Sequence, residues 1–191
     1  MAQAEYDKLF KGLNYAQFRP VWTQYLLALN SVFSKLEQGA KGCGKSEAWY
    51  GRQKHLRRKD PLLAYLHHAR NSDEHGIAPI SKATPSTVRL MDKGPVTISG
   101  SFGGAQGFSG LYVHPREDGT TPRLEVQVGR IFLVDVTDDR YGDTFAVPAE
   151  HLGKPIAPLT QSGDIGPWEV GRDGLAYARA MIAEARDLPE H

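Results

Sequence analysis

The apolar residues of this chain keep one period up to residue 76 and another beyond it. Phe18, Trp22, Tyr25, Leu26, Leu29, Val32, Phe33 and Leu36 recur at steps of about 3.6 residues, as the buried stripe of a single helix does. Pro20 sits near the start of that stretch, and Gly39 and Gly42 end it. After Gly76 the helical period vanishes, and Gly, Pro, Ser and Thr rise across residues 77–122. Pro95-Val-Thr-Ile-Ser, Gly110-Leu-Tyr-Val-His and Arg123-Leu-Glu-Val-Gln-Val alternate polar with apolar, as half-buried strands do. Ile131-Phe-Leu-Val and Thr144-Phe-Ala-Val-Pro148 read as two further strands. Turns rather than helices separate these strands, so the sheet is expected to be antiparallel. The fold class is therefore α+β. A helical region is expected over residues 1–76, a small antiparallel β-region over 77–150, and a loop plus C-terminal helix over 151–191.

Other elements follow from local signals. Residues 5–15 are poorly patterned and give one or two helical turns. Ser46 caps an expected helix over 46–59, and residues 148–172 read as loop. Leu175, Ala178, Met181, Ile182, Ala185 and Leu188 mark a closing helix at about 173–188, free to pack on the sheet or on the bundle.

Composition narrows the function classes. Length and a 40% hydrophobic content suffice for a self-sufficient core, and the formal net charge of +1 means that nucleic acid can be met only through a local patch. The single Cys43 excludes an internal disulfide and fits a reducing cytoplasm. The N-terminus lacks a basic leader followed by an apolar core, and no run of ~18 apolar residues is available to span a membrane.

The stretch Asp60–Gly76 carries the densest chemistry. Asp60 is an N-cap, Pro61 fits the first helical position, and Leu62, Leu63, Leu66 and Ala69 form the stripe with Tyr65 beside it. Gly76 closes the helix. The last turn holds Arg70, Asn71, Glu74 and His75, in which Arg70 and Glu74, and Asn71 and His75, are i,i+4 neighbours. Arg70-Asn-Ser-Asp-Glu-His75 at the end of an amphipathic helix resembles the R-x4-6-H motif of HEPN-domain proteins. A second copy of that spacing, Arg186 to His191, contains Pro189 and ends the chain, so context selects the first. The resemblance covers roughly residues 1–76. It implies a HEPN-like helical bundle that forms a homodimer, bringing two motifs together as a metal-independent endoribonuclease site. A toxin- or defence-related hydrolase, with RNA as substrate and a neutralising or regulatory protein partner, is the corresponding expectation.

The residue types suit that chemistry. Cleavage of RNA by its own 2′-hydroxyl needs a base, an acid and positive charge on the phosphate. A histidine supplies acid or base near neutral pH, and an arginine grips phosphate oxygens with two bonds. Arg70 and His75 are thus the expected catalytic pair, with Asn71 orienting the imidazole or phosphate and Glu74 holding Arg70 or tuning His75. No metal or cofactor enters this reading. A helix C-terminus favours the imidazolium, so a neutral base there needs a counteracting neighbour, and a two-fold dimer would let one His75 act as acid and its mate as base.

The run Arg52-Gln-Lys-His-Leu-Arg-Arg-Lys59 is a candidate phosphate-tracking surface, with Arg52, Lys54, Arg57, Arg58 and Lys59 as the RNA-binding cations. Trp49 and Tyr50 lie nearby as stacking groups or as core. Gly39-Ala-Lys-Gly-Cys-Gly-Lys-Ser46 satisfies the P-loop pattern, but it follows a charged helix end rather than a buried strand, so a helix–helix linker is the better reading. His67 and His68 invite a metal reading with His75 below, but His68 and His75 stand two turns apart, about 10 Å, too far to share one ion, so surface or core histidines are the better reading. The Gly-rich Ser99–Gly110 reads as a hairpin connection, and Ser109 with His114 lacks any nucleophile-elbow pattern. Two alternatives remain beside the ribonuclease: a non-catalytic HEPN-like binding or scaffold protein, and nucleotide binding at Gly39–Ser46.

Overall fold

A computed structural model describes residues 1–11, 13–74, 79–92, 96–102, 108–127, 129–138, 141–159 and 164–188. The chain is α+β, with helices first, short antiparallel ladders in the middle and a helix at the end. The helices are α1 (Ala2–Lys8), α2 (Tyr15–Ala40), α3 (Gly44–Lys59), α4 (Pro61–Glu74) and α5 (Pro167–Arg186).

The long helix α2 begins ahead of Pro20 because Asn14 and Gln17 cap it reciprocally. Gln17 N–H donates to Asn14 Oδ1 at 2.7 Å, and Asn14 N–H donates to Gln17 Oε1 at 3.2 Å. The expected stripe is buried, with Phe18, Trp22, Tyr25, Leu26, Leu29 and Phe33 each 5% exposed or less. Burial of each such side chain contributes roughly 1.5–3 kcal/mol. Phe18 stacks on Trp22 and Trp22 on Tyr25, with centroids 6.0 and 5.2 Å apart. Helix α3 starts at Gly44 with Cys43 at its N-cap, so Ser46 lies inside the helix, buried, and is not the cap.

The question of where the last helix packs is answered by two glycines. α5 runs against α1, α2 and α4, and also meets β6 (Ile131–Leu133). A Cβ at Gly174 would stand 2.6 Å from Leu66 Cδ1, and one at Gly171 would stand 3.1 Å from the Tyr6 ring. Hydrogen at these two positions lets the backbones close up, and Tyr25 Oη then donates to Gly171 O at 2.7 Å.

The strands do not form one sheet. Among the described residues they pair as five two-stranded antiparallel ladders. β1 (Ser81–Ala83) pairs β6, β2 (Thr87–Leu90) pairs β5 (Leu124–Gln127), and β3 (Ile98–Phe102) pairs β4 (Phe108–Val113). β7 (Val136–Thr137) pairs β8 (Thr144–Phe145), and β9 (Glu150–His151) pairs β10 (Lys154–Pro155). Ladders this short have little stability of their own, and helices back three of them: β1–β6 lies against α2 and α5, and β7–β8 and β9–β10 lie against α4. Ile80, Leu133, Val136 and Ile156 are buried in the same core as the helical stripes. Tyr65 Oη donates to Val134 O at 2.8 Å, and Tyr15 Oη donates to Ser81 O.

One further expectation is corrected. Residues 148–172 are not all loop: they contain the β9–β10 hairpin and the start of α5, where Pro167 occupies the first turn. The hairpin turn places Leu152 at φ 51° and Gly153 at φ 71°, a conformation unfavourable for leucine. It is held by the α4 cap, because Leu152 N–H donates to Asp60 Oδ2 at 2.6 Å.

Candidate active site on α4

Helix α4 is fixed at its start as its sequence requires. Asp60 Oδ1 accepts from Leu63 N–H at 3.0 Å, and Pro61 opens the helix without needing an N–H. Asp60 is itself buried, and His151 Nδ1 lies 3.0 Å from the same Oδ1. Leu62, Leu63, Tyr65, Leu66 and Ala69 face the core, so the remaining circumference of α4 is polar.

Tertiary packing divides that polar surface in two. One flank is covered by the β7–β8 hairpin. His68 lies flat on Phe145, with centroids 3.7 Å apart and planes 10° from parallel, and its Nδ1 stands 3.2 Å from Asp138 Oδ2. Ser72 Oγ donates to Thr137 O at 3.4 Å. Asp73 accepts from Thr23 Oγ1 of α2. The other flank is the more open one: it carries His67, exposed, and Arg70 and Asn71, half-buried, with Arg70 Nε shut off from solvent.

On the open flank three side chains are linked in series. Arg70 Nη1 donates to Asn71 Oδ1 at 3.1 Å, and Asn71 Nδ2 faces His67 Nε2 at 3.5 Å. Because the Asn71 oxygen is occupied by Arg70, its amino group points at His67, which makes His67 Nε2 the lone-pair nitrogen. Although its edge meets solvent, the His67 ring is hemmed in by protein, which lowers its pKa to about 4; His68, Arg57 and Arg70 push the same way, and Asp138 opposes them. His67 is therefore neutral at pH 7.

The expected site residues divide accordingly. Arg70 and Asn71 are together, half-buried, on the open flank. Asn71, expected to orient His75 or the phosphate, has its Nδ2 3.5 Å from His67 Nε2, one turn behind. Glu74 ends α4, and its side chain, like His75 and Gly76, lies outside the described residues. From the sequence His67 is weighed only beside His68 as a metal ligand and read as a surface or core histidine, not as a site residue. The signal was present, since it stands three and four positions before Arg70 and Asn71, on one helix face.

The basic run occupies the second half of α3 and is also divided. Arg52, His55, Arg58 and Lys59 are exposed, whereas Lys54 pairs with Glu37 at 3.1 Å. Arg57 is half-buried with its guanidinium 3.7 Å from the Phe33 ring centroid, a cation–π contact. Burial lowers its pKa, with Tyr50 and Tyr177 opposing, but it remains a cation at any physiological pH. Trp49 and Tyr50 are core residues: Trp49 Nε1 donates to Glu184 Oε2 at 2.9 Å, and Tyr50 Oη to Phe33 O at 3.0 Å.

No family model, curated protein or solved structure matches this chain.

The other sequence motifs fall elsewhere. Gly39–Ser46 is the corner between α2 and α3, where Gly42 N–H donates to Glu47 Oε1 at 2.8 Å. Ile131–Leu133, which resembles the strand accompanying a P-loop, pairs with β1 instead. His114 Nε2 lies 2.9 Å from Ser99 Oγ at the β3–β4 ladder, exposed. Among the described residues no group of three or more His, Cys, Asp and Glu is placed to hold a metal ion. Nor, among them, is any helix long and apolar enough to cross a membrane.

Proposed function

We propose that this protein is a metal-independent endoribonuclease of HEPN type, acting as a homodimer in the cytoplasm in a toxin- or defence-related role. Arg70, Asn71 and His75 are the principal site residues, and Glu74 tunes them. The observation that carries the reading is the open flank of α4, where a guanidinium and an amide are bonded together at 3.1 Å. Arg70 grips the scissile phosphate, and Asn71 keeps the guanidinium plane in position. The exposed cations Arg52, Arg58 and Lys59 on α3 extend the positive surface along which an RNA backbone runs. Lys54, paired with Glu37, and Arg57, held on Phe33, contribute charge rather than direct grip. A neutralising or regulatory protein partner would cover this flank.

The test is incubation of the full chain with mixed RNA, with and without a chelator. Cleavage is expected in both, with Arg70→Ala and His75→Ala reducing it at least 100-fold while the thermal melt stays that of a folded protein. Unchanged cleavage in Arg70→Ala would refute the assignment and favour a binding or scaffold role, in which the Arg70–Asn71 bond is only structural.

A further inference from the structure

The two adjacent histidines of α4 have opposite fates. His68 is closed over by Phe145 and Asp138, whereas His67 faces outward beside Asn71 and Arg70. Resting on the ribonuclease reading, we propose that His67 is a catalytic residue of the site, the base that takes the proton from the attacking 2′-hydroxyl of RNA.

Three features support this placement. His67 stands in series with the phosphate-gripping Arg70 through one amide, so a phosphodiester held by Arg70 has its ribose within reach of that imidazole. The Asn71 amide fixes which nitrogen carries the lone pair, and at 3.5 Å its hold is long enough for an incoming hydroxyl to replace it. Finally, His67 lies mid-helix, away from the terminal carbonyls that would stabilise its protonated form. The groups around it are His68 and Arg70 of its own helix, Arg57 of α3 and Asp138 of the covering hairpin. Burial first, and then three of these four groups, disfavour a positive imidazole, so the free base is present throughout the physiological range.

The step balances without a co-reactant. The 2′-oxygen bonds to phosphorus as its proton passes to His67 Nε2, the bond from phosphorus to the 5′-oxygen breaks, and that oxygen takes up a proton from water. The products are a 2′,3′-cyclic phosphate and a free 5′-hydroxyl. One chain then carries its own base, and the twin subunit is not required to supply it.

The experiment compares full-length wild type, His67→Gln, His67→Ala, Arg70→Ala and the exposed control His114→Gln on a mixed-sequence RNA oligonucleotide from pH 3.5 to 8. Wild type and His114→Gln should lose rate in acid with a midpoint near pH 4, where His67 protonates. His67→Gln should lose about 100-fold or more in kcat with KM nearly unchanged, and the acid limb should vanish from what remains. Free imidazole should restore part of the rate to His67→Ala, which a purely structural defect would not allow. If Arg70→Ala is inactive but His67→Gln keeps the wild-type rate and acid limb, the base assignment falls and the ribonuclease reading stands. If wild type leaves RNA intact, or Arg70→Ala cleaves normally, both fall.

Discussion

Asp60→Ala removes the junction on which the candidate site is mounted. Its carboxylate accepts from Leu63 N–H at 3.0 Å and from Leu152 N–H at 2.6 Å, and it lies 3.0 Å from His151 Nδ1. With the side chain only 2% exposed, water neither screens these bonds nor replaces them. Loss of the cap costs about 1 kcal/mol. Each of the two bonds to the β9–β10 hairpin, being made to a charged acceptor, contributes about 1.5 kcal/mol at the low end. The total is about 4 kcal/mol, a fall of about 10 °C in Tm for a domain of this size. Leu152 also loses the bond that keeps it at φ 51°. Urea unfolding measures the energy, and amide exchange locates it: the Leu63 and Leu152 amides should lose protection before those of Leu66 and Ala69. A loss below about 1 kcal/mol, or unchanged protection at Leu152, would show that the hairpin does not depend on the cap.

Two other outcomes follow from packing and charge. Gly174→Ala gains about 1 kcal/mol of helix propensity but sets a Cβ 2.6 Å from Leu66 Cδ1 and 3.0 Å from the Tyr25 hydroxyl. Tyr25 is anchored to Gly171 O, so overpacking prevails and chemical denaturation should show a net loss of about 1–2 kcal/mol; a gain would mean that Leu66 has room to turn. The second concerns pH. His67 ionises near 6.5 when unfolded and at about 4 when folded, so between those values the unfolded chain binds more protons. Stability should therefore fall as pH drops below 6.5, and His67→Gln should show a shallower fall over that window in paired melts; parallel curves would contradict the lowered pKa.

Much of the architecture was legible because it rests on neighbours in sequence. The stripe of α2 and the Asp60-Pro61 start of α4 are statements about residues three or four apart, and the structure keeps both. Asn14-Tyr-Ala-Gln17 carried an equally local signal for the true start of α2, and Pro20 drew attention away from it. The β9–β10 hairpin was not legible. Leucine is a poor residue for positive φ, and only a bond to Asp60, far away in the chain, makes it acceptable there. The single sheet expected from alternation became separate ladders, because alternation marks which residues suit a strand but not which strand is its neighbour, and that pairing is decided in the packed molecule.

Local chemistry, readable from the chain alone, determined that a polar, cation-bearing flank would run along a helix beginning at Asp60. It could not distinguish His67 from His68, or an arginine bonded to a neighbouring amide from one resting on a ring. Adjacent helical residues point about 100° apart, and the sequence period says only that both lie off the apolar stripe. The hairpin that brings Phe145 and Asp138 onto His68 is built from residues some seventy positions away. Which imidazole meets solvent is therefore a property of the packed molecule, decided by what covers each one.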